Sequence, residues 1–241
     1  MRICILSEYF YPDQTGGTGT VLSHLARQLR DEYSHLQLEA ITSRNLYRGE
    51  GVRPSTFENW HGLKILRLNT PKSNRSSTAL RLAMGAAFSA AVAAKLESRW
   101  LSRVRYDALL VVTNPPVLPL AARTFGRRHG VPYIYLIHDL YPDVATALGV
   151  LPHEHIVAAQ LRRQQRAWLH GAAKVVVLGR CMRDYLVENY EVPQERIEVI
   201  PNWSDPAMIR RRGHDTRFKA QHGLSGPVIL YAGNFGQYQD F

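Results

Sequence analysis

Short apolar runs that alternate with helical segments constrain the fold of this chain more than any other feature. Residues 108–113 form a continuous apolar run that ends in Thr113, which is typical of a strand buried on both faces of a parallel sheet. A helical pattern follows over residues 118–129, and a second buried strand is predicted over residues 131–137. Because strands and helices that alternate at this spacing form βαβ units, the sequence predicts an α/β domain with a doubly wound, parallel, Rossmann-like sheet.

The same patterns predict further elements along the chain. Strands are expected over residues 3–6, 36–42, 63–68, 174–178 and 197–200, and helices over residues 20–29, 78–103, 156–170 and 180–190. Residues 43–60 have little periodicity and are predicted to be a loop, whereas residues 144–155 show no clear period.

The end of the chain changes in character. Residues 201–227 contain proline, glycine and the basic cluster Arg210-Arg211-Arg212, and the apolar run 228–232 then predicts a new buried strand. We therefore expect one domain over residues 1–200, a linker over 201–227 and, over 228–241, the truncated start of a second Rossmann-like domain.

A glycine-bearing turn, Gly16-Gly17-Thr18-Gly19, separates the first predicted strand from the first predicted helix. Backbone N–H groups and the positive end of a helix dipole favour an anion at such a turn. One exposed contact of this kind contributes only about 0.3–1 kcal/mol, so the turn positions a phosphate rather than capturing it alone. A strand-to-helix turn that simply needs glycine for a positive φ is an equally good explanation.

The net charge of +10 and the pI near 9.9 indicate an anionic partner: nucleic acid, an anionic membrane face or a phosphorylated ligand. The basic residues are scattered and form no nucleic-acid motif, so we expect no nucleic-acid partner. A nicotinamide-dependent enzyme is disfavoured because the glycine turn lacks the full dinucleotide fingerprint.

The two cysteines show neither metal spacing nor a disulfide framework, and no apolar stretch reaches the roughly 20 residues that span a bilayer. We therefore expect a cytoplasmic protein, soluble or peripheral at the inner face of the plasma membrane.

Basic and apolar residues share one stripe of the helix predicted over residues 78–103. The stripe comprises Arg81, Met84, Phe88, Val92, Lys95, Arg99 and Arg103. One interpretation is a helix that lies on an anionic membrane surface. The favoured alternative is a core-packed helix whose basic residues lie at its solvated ends, since apolar residues run almost all round it.

Five blocks in order carry a family resemblance. They are residues 16–29, which include Gly16-Gly17 and the first helix, and residues 113–116, 138–143, 197–203 and 231–236. Together they resemble the family 4 glycosyltransferases of the two-Rossmann-domain (GT-B) type, above all the bacterial enzymes that build O-antigen, capsule and exopolysaccharide. The resemblance implies transfer of a sugar from a nucleotide-sugar donor to a hydroxyl of an acceptor glycan or lipid-linked saccharide. It also implies retention of the anomeric configuration, and neither a cofactor nor an obligatory metal.

The resemblance also assigns roles to residues near the predicted reaction centre. His138 matches a family histidine that contacts the reacting sugar, and Asp139 either orients His138 or caps the following segment. Asn202 is expected at the hinge between the two domains. On chemistry alone, a single histidine at a strand end is more often structural, and only the family context favours a catalytic role.

Glycines are assigned to the ligand phosphates and the cleft. Gly16, Gly17 and Thr18 are expected to line the cleft and bind the donor diphosphate or the acceptor. Gly233 and Gly236 are expected to approach the donor phosphates.

Two departures from the family pattern are Gly19 and Trp203, where many relatives carry a larger residue and a glycine, respectively. More important, the family's donor-holding Glu pair and its phosphate-binding Arg or Lys belong to the second domain, most of which this sequence lacks. We therefore expect this chain alone to bind nucleotide sugars weakly and to turn over negligibly. The alternative is a non-catalytic, acceptor-binding half that needs a partner to supply the donor domain.

Overall fold

The computed structural model of the chain describes residues 1–13, 17–46, 53–71, 78–203, 217–231 and 233. The chain divides into two units, Met1–Pro201 and Asn202–Phe241. The division of residues 201–241 into a linker and the start of a second domain stays a prediction.

A single sheet organises the first unit. Its strands are β1 (Arg2–Leu6), β2 (Gln37–Ser43), β3 (Phe57–Trp60), β4 (Leu63–Leu68), β5 (Ala108–Val112), β6 (Tyr133–Ile137), β7 (Lys174–Val177) and β8 (Ile197–Val199). The spatial order is β3-β4-β2-β1-β5-β6-β7-β8. All described neighbours pair in parallel except β3 and β4, which are antiparallel. From β1 the parallel strands follow one another outward in both directions, and β3 lies outside β4 at one edge, so the predicted doubly wound α/β fold is confirmed.

Helices cover both faces of the sheet. They are α1 (Gly17–Glu32), α2 (Thr78–Leu101), α3 (Leu118–His129), α4 (Asp143–Ala147), α5 (Ile156–Gly171) and α6 (Arg180–Tyr190), and the second unit contains α7 (Arg217–Gln221). One buried cluster contains apolar side chains of α2, α3, α5 and α6, and a separate cluster contains those of α1. Burial on both faces explains why β5 is apolar at every position.

The predicted loop over residues 43–60 is wrong at its end, because Phe57–Trp60 forms the edge strand β3. A tight turn makes the hairpin with β4: His61 and Gly62 have φ of 52° and 87°, and the Asn59 side chain accepts a hydrogen bond from the Gly62 amide. The four-residue strand has alternating exposure at the sheet edge and therefore lacks the apolar run by which the other strands were predicted.

The β3–β4 hairpin also holds the segment that follows β1. The Arg67 side chain, buried on β4, pairs with Glu58 on β3 at 2.7 Å and donates to the Tyr11 carbonyl oxygen at 2.8 Å. Trp60 stacks on Tyr11 with ring centroids 4.3 Å apart. The edge of the sheet thus fixes the approach to the glycine turn.

The membrane interpretation of the basic stripe on α2 is wrong. Phe88 and Val92, at the centre of the stripe, are buried in the core. Arg99 forms two hydrogen bonds with the buried Glu39 carboxylate on β2, where the hydroxyl of Tyr106 also donates. The centre of the stripe therefore faces the core, as the core-packed alternative predicts, and Arg81 and Arg103 at its ends are exposed. Arg99 departs from that alternative, because it pairs with a buried carboxylate.

The apolar run at residues 228–231, predicted to be a buried strand, is not a strand in this structure. Ile229 is 99% exposed and Leu230 is 74% exposed. No strand pairs with this run in the part of the chain that the structure describes, and an unpaired apolar run has no ladder of hydrogen bonds to hold it extended.

Candidate active site

Three neighbouring strands bring polar residues to one edge of the sheet. β1, β5 and β6 are adjacent and parallel, so their carboxyl ends meet. Glu8 lies two residues beyond the end of β1, Thr113 follows β5 and His138 follows β6. The carboxyl edge of a doubly wound sheet is where this class of fold binds its ligands.

His138 faces the start of α1. Its Nδ1 lies 3.1 Å from the Thr18 hydroxyl oxygen. The structure therefore joins two residues that are far apart in sequence and that sequence analysis predicted separately, one in the glycine turn and one after a central strand.

The His138 ring is half-buried, and only its Nδ1 has a hydrogen-bond partner among the described residues. Its Nε2 is buried without a hydrogen-bond partner among the described residues. Burial lowers the pKa of His138 below its ordinary value of 6.5, and the nearby Asp139 carboxylate opposes this shift. A neutral imidazole is therefore favoured at pH 7, and the Nε2 atom keeps an unused capacity for a hydrogen bond.

Thr113 fixes the backbone at this position. Its hydroxyl oxygen accepts hydrogen bonds from the backbone amides of His138 at 3.2 Å and of Asp139 at 3.3 Å. Asp139 itself is exposed and makes no hydrogen bond to the His138 ring. It does not cap the next helix either, since α4 has no side-chain cap. The influence of Asp139 on His138 is electrostatic.

Asp143 anchors the segment that follows His138. The Tyr185 hydroxyl donates to Asp143 Oδ1 at 2.8 Å, the Tyr190 hydroxyl donates to Oδ2, and Arg162 Nε lies 3.6 Å from Oδ1. Three contacts from α5 and α6 thus hold the start of α4, and with it one side of the candidate site.

The glycines of the turn have different structural roles. Gly17 is exposed, and a Cβ there would have no atom within 4 Å. At Gly19 a Cβ would lie 2.4 Å from the Asp13 carbonyl oxygen, so close packing excludes a side chain. This contact explains why glycine occupies a position where a larger residue was expected. Gly16 lies outside the described residues.

Glu8 is a candidate site residue that sequence analysis missed. Its amide donates to the Asn114 carbonyl oxygen at 3.3 Å, and its carbonyl oxygen accepts from the Thr42 hydroxyl at 2.9 Å and the Ser43 amide at 3.1 Å. Burial raises the pKa of its carboxyl from 4.5 to about 7. Only its position in the sequence could have indicated Glu8 as a site residue. It follows β1, which is the neighbour of β5, the strand that Thr113 follows.

The remaining predicted site residues belong to the second unit. Asn202 and Gly233 are described, and Gly236 lies outside the described residues. A Cβ at Gly233 would lie 2.6 Å from the Tyr231 hydroxyl oxygen. The ligand contacts predicted for Asn202, Gly233 and Gly236 stay predictions.

Solved structures share the fold at low sequence identity. A sucrose-phosphate synthase from Thermosynechococcus elongatus matches with a TM-score of 0.63 and 13% identity, over 93% of this chain and 53% of that one. The catalytic domain of starch synthase IV from Arabidopsis thaliana, bound to ADP and acarbose, matches with a TM-score of 0.57 and 11% identity, over 86% and 52%. Anabaena Alr3699/HepE in complex with UDP and glucose matches with a TM-score of 0.52 and 15% identity, over 92% and 50%.

The sequence itself decides the family, because the model of the glycosyl transferase 4-like domain matches residues 16–203. The chain belongs to this family. The expected family 4 assignment and the GT-B type of fold are therefore confirmed. Both the glycine turn and His138 lie within the matched region of this glycosyl transferase 4-like domain.

A curated relative agrees over a shorter region. The probable glycosyltransferase WbjE of Pseudomonas aeruginosa is 30% identical over 100 residues, which cover 42% of this chain and 25% of that protein. The glycosyl transferase 4-like chain thus spans about half the length of the solved structures described above and a quarter of this relative. Among the described residues, no helix is both long and apolar enough to cross a membrane.

Proposed function

We propose that this chain is the acceptor-side half of a retaining glycosyltransferase in cell-surface polysaccharide synthesis. It contributes to the transfer of a sugar from a nucleotide-sugar donor to a hydroxyl of a lipid-linked saccharide. One observation carries the proposal: the Thr18 hydroxyl oxygen and the His138 Nδ1, both within the family region, lie 3.1 Å apart at the carboxyl edge of the sheet. Folds of this class bind ligands at that edge.

The proposed role of His138 follows from its hydrogen bonding. When the Thr18 hydroxyl donates to Nδ1, the ring proton resides on Nε2, which then donates a hydrogen bond to an oxygen of the sugar. Because burial lowers the pKa of His138, the ring is neutral at pH 7 and binds by hydrogen bonding rather than as a cation. Thr18 and Thr113 are positioning residues in this proposal.

The start of α1 supplies the second part of the proposed site. Backbone amides of the first helical turn and the positive end of its dipole stabilise a phosphate or another anionic group of the ligand. Two solved structures of this fold contain a nucleotide, UDP in one and ADP in the other. A nucleotide sugar with UDP or ADP is therefore the first donor to test.

Ligand-observed NMR tests the proposal on the chain as it is. We expect UDP-glucose or ADP-glucose to bind weakly, with a Kd in the millimolar range (about −4 kcal/mol) and with saturation transfer to the sugar protons. His138→Ala should reduce that transfer at least threefold, whereas His153→Ala, at an exposed position in the same unit, should leave it unchanged. Equal signals in wild type and His138→Ala would contradict the role of His138.

The transfer reaction is tested with a donor-domain protein added to this chain, or with a longer protein in which this region is joined to a donor domain. Transfer is expected to retain the anomeric configuration and to persist after EDTA treatment, as read by product NMR. His138→Ala should lower the rate by about 10²–10⁴-fold if the residue contacts the reacting sugar in the transition state. Robust transfer by the 241-residue chain alone would contradict the expectation that it is only half of a catalytic unit.

The second candidate function is a non-catalytic acceptor-binding half that works with a separate donor-domain protein. The exposure of Ile229 and Leu230 favours it, since a partner strand would cover this apolar run. Saccharide binding to the chain without any nucleotide-sugar signal, together with co-elution of a donor-domain protein, would support this alternative.

A further inference from the structure

A basic groove lies at the edge of the sheet opposite the candidate active site. It is a cavity of about 460 Å³ at the amino-terminal ends of β6 and β7, whereas His138 follows the carboxyl end of β6. Three arginines and a histidine line it: Arg123, Arg127, Arg196 and His170. No carboxylate is among the described residues that line the groove.

Arg123 is the most informative of these residues. It lies within α3, and its Nε is buried without a hydrogen-bond partner in the described part of the chain. An unpaired buried donor costs about 1–3 kcal/mol, so the atom favours an acceptor that the described protein does not provide. Gly171 leaves room beside it, since a Cβ there would lie 3.4 Å from Arg123 Nε and 2.7 Å from the Tyr133 hydroxyl oxygen.

Helix ends explain only part of this charge. Arg127 and His170 lie in the last turns of α3 and α5, where cations interact favourably with the terminal carbonyl groups. Arg196 donates to the His170 carbonyl oxygen at 3.2 Å. Arg123, however, lies more than one turn before the end of α3, so an interaction with the terminal carbonyl groups does not explain its place in the groove.

Other arginines of this unit, outside the groove, pair with carboxylates. Arg128, next to Arg127, has a Glu97 carboxylate oxygen at 3.8 Å, and Arg166 on α5 pairs with Glu191. No such pair is found for the three groove arginines within the residues that the structure describes. Their charges are thus concentrated on one cavity without compensation.

We propose that this groove binds a multiply charged phosphate compound. Guanidinium groups match phosphate oxygens with paired, charge-assisted hydrogen bonds, and three of them suit two or more phosphate groups better than one. The cavity volume also falls in the range of small-molecule sites. The phosphate groups belong either to a soluble compound or to lipid headgroups. The site is separate from the one in the proposed function.

Calorimetry with inorganic pyrophosphate tests the proposal on the full chain. We expect Arg127→Ala and Arg196→Ala each to weaken binding at least fivefold. Arg163→Ala removes the same charge from an exposed position on α5 and should weaken binding less than twofold. Both groove variants lie at exposed positions and should keep the wild-type circular dichroism spectrum.

Two results would overturn the proposal: no pyrophosphate binding by the wild type, or an equal loss of binding in Arg163→Ala. Binding that is weakened at least fivefold in both groove variants and less than twofold in Arg163→Ala supports the groove.

Sedimentation with vesicles of phosphatidylglycerol and phosphatidylcholine separates the two sources of phosphate. If lipid headgroups are the ligand, pyrophosphate competes and both groove variants sediment less than Arg163→Ala. If a soluble compound is the ligand, pyrophosphate binds in the calorimeter, and sedimentation is absent or the same in all variants.

Discussion

At the scale of single residues, His138 shows how its surroundings set its chemistry. Burial lowers its pKa and Asp139 raises it, so removing the Asp139 charge should lower the pKa further. We expect Asp139→Asn to shift the His138 titration to lower pH in an NMR titration of the ring protons. Asp184→Asn, an exposed change on α6, should leave the titration unchanged. A rise in the His138 pKa on removal of Asp139 would contradict this electrostatic role.

Glu8 predicts a pH dependence of stability. Its carboxyl pKa is about 7 in the folded chain against an ordinary value of 4.5, so between these values the folded chain holds a proton that the unfolded chain has lost. Stability should therefore fall as pH rises from about 4.5 to 7 and stay level above. A shift of this size corresponds to about 3 kcal/mol as an upper estimate.

Glu8→Gln removes this ionisation. We expect the variant to be more stable than the wild type at pH 8, by up to about 3 kcal/mol, and equally stable at pH 4. Urea unfolding at both pH values measures the difference, with Glu154→Gln at an exposed position as the control. An equal effect at both pH values would show that the carboxyl titrates normally.

At the scale of elements, the start of α1 depends on one close approach. Gly19→Ala places a Cβ 2.4 Å from the Asp13 carbonyl oxygen, and backbone must then move. We expect a loss of about 1–3 kcal/mol in the free energy of unfolding, although alanine favours helices. Gly17→Ala is the matched control, because no atom lies within 4 Å of its Cβ and its effect should stay within about 1 kcal/mol.

The packing of α2 on the sheet depends on Arg99. Its guanidinium bonds twice to Glu39, which is 3% exposed, so Arg99→Met leaves a buried carboxylate without its cation. We expect a loss of about 3–5 kcal/mol in urea unfolding, against less than about 1 kcal/mol for Lys95→Met, one turn away. The double variant Arg99→Met, Glu39→Gln should recover part of the loss, because no unpaired charge remains.

At the scale of the whole molecule, the buried strands and long helices could be predicted from the sequence. Residues 118–129 and 180–190 were predicted with the observed helix bounds, because their apolar spacing is regular. Strand β3 was missed, since an exposed edge strand lacks an apolar run. The strand expected over residues 228–232 has a strong apolar pattern but no neighbour to pair with in the described chain.

The candidate site could be predicted only in part. Thr18 and His138 were each selected from the sequence, but the contact between their side chains depends on the three-dimensional fold. Glu8 was missed because a single carboxylate after a strand has no pattern of its own, and its raised pKa arises from burial. The basic groove was missed because Arg196 is far in sequence from Arg123 and Arg127 on α3, and only the fold brings them to one cavity.

The stack of Trp60 on Tyr11 has a consequence for how homologous sequences can diverge. The segment before the glycine turn packs against a hairpin that comes more than forty residues later in the chain. Arg67 contacts both the segment, through the Tyr11 carbonyl oxygen, and the hairpin strand β3, through Glu58. A homologue that loses the aromatic ring at one of these two positions should therefore tend to change the other as well. An alignment in which positions 11 and 60 vary independently would show that the segment before the glycine turn is supported in some other way.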